Sequence, residues 1–376
     1  MSVTLHVFDR YRPIIDDWPA FVEASTTPLP TCIWINTLRG GVEDVTALLG
    51  RSGIAYEPVG WSPTAFRLPH DVQIGNHLAF LAGLCHVQEE VALPPVLLLD
   101  PKPGERVLDL CASPGNKTAQ IAVSMRNTGT IVANDFNVSR MRPLKRVVSR
   151  LGLVDVTTTF CDAASYPTPQ QPFDRVLVDV PCSCEGTCRK NPEVLEGTKP
   201  HPFAKLSRVQ TAILRRALQL CKVGGRVVYS TCTYAPEENE MVVQAALDSL
   251  EPGIRAEILP AEVPGLVTSP GLNKWQGRSF RKDMVHAIRI YPHQNDTGGF
   301  FIAVLEKVAD ARRPHRIARK NGDTPHNTRV REGETSRWMA WLEARFGVPP
   351  TELAAYKVVE TNAKTLSLLT SEHTVP

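Results

Sequence analysis

The chain has 376 residues, 43% of them apolar and 22% charged, with a net charge of +3. This is the balance of a soluble globular chain of two or three domains, and no run approaches the roughly 18 apolar residues of a membrane span. Nine cysteines without regular pairing exclude a disulfide framework and read as cytosolic thiols, while so weak a net charge neither demands nor rules out a nucleic-acid partner.

The N-terminal string MSVTLHVFDRYRP carries early charges and no apolar core of signal-peptide length, so a cytoplasmic location is expected. Residues 1–70 contain DDWPAFVEA and GVEDVTALLGRSG as predicted helices and TCIWINTL as a predicted strand, a small α+β module. The stretch from Asp71 to about Asp100 reads as mainly helical and closes on the turn residues of PPVLLLDPKPGE.

From Arg106 strands and helices alternate. RVLDL, TIVAND, VTTTF, FDRVLVDV and GRVVYSTC read as strands; KTAQIAVSM, VSRMRPLKRVVSRLG and the segment from Leu206 to Cys221 read as helices. Short β-branched runs separated by helical lengths predict an α/β domain with a doubly wound, Rossmann-like parallel sheet over residues 71–308, closed by FFIAVLEK. Residues 309–330 are basic, proline-bearing and aperiodic, a linker. Residues 331–376 carry the helix SRWMAWLEARFG and the strand YKVVE, a small C-terminal appendage.

In an open parallel sheet, ligands bind beyond the carboxyl ends of the strands. The turn CASPGNK follows the strand VLDL and leads into a helix, which presents backbone N–H groups to a ligand. It matches neither a dinucleotide glycine motif nor a P-loop. Asp135 ends the next strand, roughly 20 residues on, where an acid commonly holds ribose hydroxyls. Asp162 follows the third strand and suits an adenine amino group; helix capping or a turn is the competing role for either acid. A nucleoside site without a pyrophosphate cradle points to S-adenosyl-L-methionine.

Cys182, in DVPCSCEGT, and Cys232, in YSTCTY, each follow a strand and therefore face the same rim. A thiol is intrinsically a strong nucleophile. Its addition to carbon 6 of cytosine would make carbon 5 nucleophilic, and a second thiol would assist release. Asp179, three residues before Cys182, is placed to grip the amidine edge, with Lys117 as a positive contact. Cys32, Cys85, Cys111, Cys161 and Cys221 read as small buried hydrophobes. Cys182, Cys184 and Cys188 have the spacing to begin a metal site, but no second pair or histidine cluster completes it, so no metal is expected.

The strings DLCASPGNKT, DVPCSCEGTCRKNPEV and STCTYAPEENE resemble three motifs of the Fmu/NSUN family of RNA cytosine-5 methyltransferases. RYRPIIDDWPAF, CIWINTL, HVQEE and RIYPHQNDTGGFFIAVLEK extend the resemblance over roughly residues 10–307, closest to the bacterial RsmF-like branch, with the tRNA-modifying Trm-type branch next. The resemblance implies that Cys232 is the nucleophile and Cys182 the release cysteine. It also implies that Asp179 contacts base and methyl donor. Cys111, Ala112, Ser113, Pro114, Gly115, Asn116, Lys117, Asp135 and Asp162 would line the cofactor, and Arg140 would meet its carboxylate. RNA, ribosomal or transfer, is the implied partner, bound by the N-terminal module and the sheet rim of a monomer. Two positions depart from the family pattern: Asn116 stands where Gly, Ser or Ala is usual, and Cys184 where the release motif has Gly. A Cβ at residue 184 would restrict the loop if φ there is positive.

Arg140, Arg142, Lys145, Arg146 and Arg150 form a basic run on one predicted helix; Arg278, Arg281 and Lys282 form a second cluster and Arg312 to Lys320 a third. Beside a catalytic rim these suit phosphate contacts, although basic helix faces are often simply solvated. Two other functions compete: a methyltransferase of non-RNA substrates, which has no need of Cys232, and a catalytically impaired RNA-binding or assembly factor.

Overall fold

The computed structural model describes residues 6–196, 203–312, 335–362 and 365–373. The main domain carries a nine-stranded sheet: β1 (Arg106–Asp109), β2 (Thr130–Asn134), β3 (Val156–Thr159), β4 (Phe173–Asp179), β5 (Cys221–Thr231), β6 (Ile254–Leu259), β7 (Ser269–Pro270), β8 (Ile288–Ile290) and β9 (Phe300–Asp310). Their order is β7-β8-β9-β5-β4-β1-β2-β3, with β6 also pairing β9. The five strands β5-β4-β1-β2-β3 are parallel, as the alternation predicts. β9 runs antiparallel to β5, and β8 and β6 antiparallel to β9, so the sheet is mixed.

Successive side chains of a strand point to opposite faces, and here both faces are covered. Leu108, Val132 and Val176 pack with Ile213, Leu214 and Ala217 of α3 (Phe203–Leu220) and with Val242, Val243 and Ala246 of α4 (Glu240–Asp248). Val107, Ile131 and Leu177 pack with Ala119, Ile121 and Ala122 of α1 (Asn116–Ser124) and with Val96 and Leu99. That two-sided burial is why these strands read as continuous apolar runs. The basic helix α2 (Met141–Leu151) buries Met141 and Leu144 against Ala112 and Ala133, beside the turn after β1.

The N-terminal sequence forms an antiparallel sheet in the order Glu57–Pro58, Ala65–Leu68, Thr31–Ile35, Cys85–Val87. The last strand lies in the stretch read as helical; its alternation is too short to register beside the apolar residues before it. Ahead of this sheet, a 3-10 segment (His6–Ile14) places Phe8 and Tyr11 in an aromatic cluster with Phe21, Tyr234 and Tyr291. Residues 6–14 are thereby anchored on the segment that follows β5. The appendage contains the helix Thr335–Phe346 and a hairpin of Tyr356–Asn362 with Thr365–Thr370. Thr370 N–H donates to the Val154 carbonyl, just ahead of β3. Residues 313–330 of the basic linker and 331–334 of the appendage lie outside the described residues.

Candidate active site

The turn after β1 sits where the strand order reverses between β1 and β4, the usual ligand crevice of such sheets. Leu110 N–H donates to the Leu177 carbonyl and Ala112 N–H to the Asn134 carbonyl, which ties the turn to β4 and to β2. A cavity of about 800 Å³ opens beside it. Cys111, Ala112, Ser113, Pro114, Asn116, Lys117, Asp135, Arg140, Asp162, Asp179, Cys182 and Cys232 all line this cavity. Gly115, expected among them, does not. Its φ is +106°, and a Cβ there would stand 3.0 Å from Cα and Cγ of Leu144. Gly115 therefore permits the close approach of α2.

Asp135 accepts from the backbone N–H groups of Ser113 (3.3 Å) and Asn137 (2.8 Å). The Arg140 guanidinium donates to the Ser113 carbonyl at 3.0 Å and lies 3.8 Å from Asp135, so it braces the turn from the cavity wall. Asp162 lines the cavity and also caps the short 3-10 turn Ala163–Ser165 through the Ala164 N–H. Phe136, next to Asp135, is 78% exposed at the cavity, an aromatic face that no sequence pattern singled out.

Asn116 accounts for its own departure from the family pattern. Its Oδ1 lies 3.0 Å from His86 Nε2, while Arg150 stands 2.5 Å from His86 Nδ1. A guanidinium only donates, so Nδ1 accepts and Nε2–H donates to Asn116. Burial, against the Asn116 hydrogen bond, drives the His86 pKa down to about 4, which keeps the ring neutral. Arg150 also donates to the carbonyls of Phe80 and Cys85. It is turned inward and does not belong to the exposed basic face, where Arg142, Lys145 and Arg146 remain.

Asp109, at the end of β1, is buried; Thr118 donates to its Oδ2 at 2.6 Å and its Oδ1 has no partner. Burial, helped by Asp179 and opposed by Thr118 and Lys117, raises its pKa to about 7. Glu89 and Asp155 are moved in the same direction, also to about 7, chiefly by burial. A carboxyl raised in this way stabilises the fold fully below its unfolded value of about 4, and that stability is lost as pH climbs through about 7. Asp109→Asn is expected to flatten the fall in denaturant midpoint between those limits. A slope identical to wild type would show that Asp109 titrates normally.

The thiols occupy the other wall. Parallel register sets Asp179 of β4 beside Ser230 of β5, and the chain continues to Cys182 and Cys232 on adjacent strand ends. Their Sγ atoms are 3.3 Å apart, and Cys184 Sγ lies 4.0 Å from Cys182 Sγ. Hydrogen bonds with Cys184 and Cys232, then burial, push the Cys182 thiol well up. For Cys232 the Cys182 hydrogen bond lowers the value, but Cys184 and burial outweigh it, so this thiol too lies well above its ordinary range. Asp179 accepts from Ser230 Oγ at 2.7 Å and pairs with Lys117 Nζ at 2.7 Å. Burial opposes the Lys117 charge, yet that pair outweighs it and raises the Lys117 pKa. Cys184 adopts φ +60° and ψ 22°, the left-handed conformation that costs a residue with a Cβ roughly 1–2 kcal/mol. Cys188, grouped with Cys182 and Cys184 by spacing, is buried instead with Phe8, Tyr11 and Phe21.

The acidic residues of the two thiol motifs are struts, a role their spacing does not reveal. Glu185 accepts from Tyr11 OH at 2.9 and 2.8 Å and from Thr233 Oγ1 at 2.8 Å, joining the N-terminal segment to both thiol loops. Glu238 accepts from Ser183 N–H and from Gln210. Gly186 N–H donates to the Cys232 carbonyl at 2.8 Å, and a Cβ on Gly186 would meet the Gly299 carbonyl at 2.3 Å. Glu240 forms a fully buried pair with Arg289 (2.7 and 2.5 Å), and Arg289 also donates to the Tyr234 carbonyl. Breaking such a pair strands a charge and costs about 3–5 kcal/mol. Arg289→Met is therefore expected to lower the urea unfolding free energy by that amount, and Arg289→Met with Glu240→Leu to recover much of it. A double variant no better than the single one would refute the stranded-charge account.

Residues 96–306 match the family model of 16S rRNA methyltransferase RsmB/F, and residues 8–90 that of the N-terminal domain of 16S rRNA methyltransferase RsmF. The chain is 36% identical over 308 residues to a tRNA (cytosine(49)-C(5))-methyltransferase of Pyrococcus abyssi, covering 81% of this chain and 97% of that protein. It is 34% identical to the ribosomal RNA small subunit methyltransferase F of Klebsiella pneumoniae over 77% of this chain, but spans only 60% of that relative. A 28S rRNA (cytosine-C(5))-methyltransferase of Mus musculus is 33% identical, with 37% of its length spanned. Among solved structures, a methyltransferase homolog protein from Pyrococcus horikoshii superposes with a TM-score of 0.67 at 34% identity, over 77% of this chain and 90% of that one.

Proposed function

The chain belongs to the RsmB/F methyltransferase family, and from that premise we propose that it methylates carbon 5 of a cytosine in ribosomal or transfer RNA through a transient bond to Cys232. The observation that carries this reading is the pair of sulfurs 3.3 Å apart on adjacent strand ends, within the cavity that also holds the turn after β1. The related proteins named as RNA cytosine-5 methyltransferases support the substrate class.

S-adenosyl-L-methionine, when bound, supplies an electrophilic methyl group on a sulfonium centre. The residues present fit it. Asp135 offers an acid for ribose hydroxyls, and Phe136 an aromatic face for the purine. The unpartnered Asp109 Oδ1 would receive a cationic group. Asp162 and the turn from Cys111 to Asn116 would close the pocket, with Gly115 acting from behind it.

In the reaction, Cys232 Sγ adds to carbon 6 and makes carbon 5 nucleophilic. Asp179 is held by Ser230 and Lys117 at the rim, where it would accept from the amidine edge of the base. Once carbon 5 is methylated, its proton must leave as the carbon–sulfur bond breaks, and Cys182 stands beside Cys232 to assist. A target base has to leave its stack to reach so recessed a pair, which is cheapest in loops. No helix among the described residues is long and apolar enough to cross a membrane.

The test is transfer of labelled methyl from S-adenosyl-L-methionine to rRNA and tRNA pools, with digestion to nucleosides. 5-Methylcytosine in one pool supports the reading and names the substrate; label confined to another nucleoside, or to protein, overturns it. The exposed Arg142, Lys145 and Arg146 are assigned to phosphate contacts. Replacing all three with alanine is expected to weaken RNA binding and make the log–log salt slope shallower by about 2, at roughly 0.7 per phosphate contact. An unchanged slope would place the RNA elsewhere.

A further inference from the structure

We propose that Cys182, Cys184 and Cys232 form a three-sulfur site for a thiophilic d10 cation of the Zn2+ class, and that its occupancy holds the enzyme silent until the cation leaves. The three Sγ atoms lie within 4.8 Å of one another, with two of the separations 3.3 and 4.0 Å. Zn–S bonds of about 2.3 Å in a tetrahedron set sulfurs about 3.8 Å apart, so shifts of a few tenths of an ångström to an ångström bring the trio onto one ion. Cys184 is the most accessible of the three sulfurs. It is exposed at the cavity mouth, whereas Cys182 and Cys232 sit deeper. The chain places a thiol there in the left-handed conformation, where glycine would fit without strain. The fourth position faces the open cavity, as at zinc sites with three protein ligands. On ligation each thiol releases its proton to water as the sulfur–metal bond forms, and no redox change is required.

Metal binding is independent of the methylation chemistry, whereas silencing rests on Cys232 being the nucleophile. The experiment therefore reads binding first. Reduced full-length protein is titrated with Cd2+, following the thiolate charge-transfer absorbance, and then with Zn2+ in competition. One equivalent is expected to saturate. Cys184→Gly, which relieves the left-handed backbone and so folds, is expected to weaken binding by more than ~100-fold, beyond the loss of an outer-shell partner. Cys161→Ser, outside the cluster, should bind as wild type does. Absence of the band, or equal affinity in Cys184→Gly, overturns the site. Next, stoichiometric Zn2+ should stop methyl transfer by wild type, a chelator should restore it, and Cys184→Gly should need far more Zn2+. Binding without inhibition overturns the silencing step alone. A metal-free protein that transfers no methyl overturns the proposed function, while the Cd2+ titration still decides the site.

Discussion

Cys232→Ala is expected to reduce methyl transfer to RNA by at least ~10^4-fold, because removing a nucleophile eliminates the covalent path and not merely one favourable contact. Cofactor affinity should be unchanged, since the turn, Asp135 and Asp162 are reached from β1, β2 and β3 while Cys232 leaves β5. The fold should also hold. The Cys232 loop is kept by backbone and neighbouring groups: Gly186 N–H on its carbonyl, Asn239 on the Thr233 carbonyl, and Arg289 on the Tyr234 carbonyl. Single-turnover transfer with labelled donor, beside calorimetric cofactor binding, separates these outcomes. Transfer within tenfold of wild type would remove the Cys232 adduct from the mechanism while leaving RNA as the methyl acceptor.

Cys182→Ala is expected to stall the enzyme after methylation. Turnover should fall by ~100-fold or more, within the range of lost general acid–base assistance, and a protein–RNA adduct stable to denaturing electrophoresis should accumulate. The reason is geometric: Cys182 Sγ is 3.3 Å from Cys232 Sγ, the place from which a group can assist the leaving sulfur. Adduct formation itself should persist, because Cys232, Asp179 and Lys117 remain. The same adduct must be absent from a Cys182→Ala, Cys232→Ala double variant. If Cys182→Ala turns over normally without adduct, release is carried by another group, and Cys184, 4.0 Å from Cys182 Sγ, is the first to replace.

The two cysteine roles were assigned by resemblance, but their meeting in one cavity follows from physics legible in the chain. Parallel strands end on one rim, so residues just past FDRVLVDV and GRVVYST had to become neighbours. The same holds for the turn after RVLDL, and for Asp135 and Asp162. Short β-branched runs and the helical lengths between them are local properties, and they located every strand of the parallel half and the helices between them.

Only the tertiary structure could decide which partner each polar group finds, because partners here are dozens or hundreds of residues apart. Arg140 and Arg150 have the spacing of a basic face, yet Arg140 braces Ser113 and Arg150 is drawn inward to His86. Glu185, Glu238 and Glu240 stand within the two thiol motifs, and each satisfies hydrogen-bond donors brought to it by the completed fold. Gly115 has to be glycine because Leu144 of the next helix packs where a Cβ would stand, a contact no local pattern announces. The sulfur trio is the same lesson: spacing grouped Cys182 and Cys184 with Cys188, but packing buried Cys188 among aromatic rings and brought Cys232 across from the neighbouring strand. Local periodicity reports which face of an element seeks burial, whereas a buried charge, thiol or hydrogen bond is decided by whatever the completed fold sets against it.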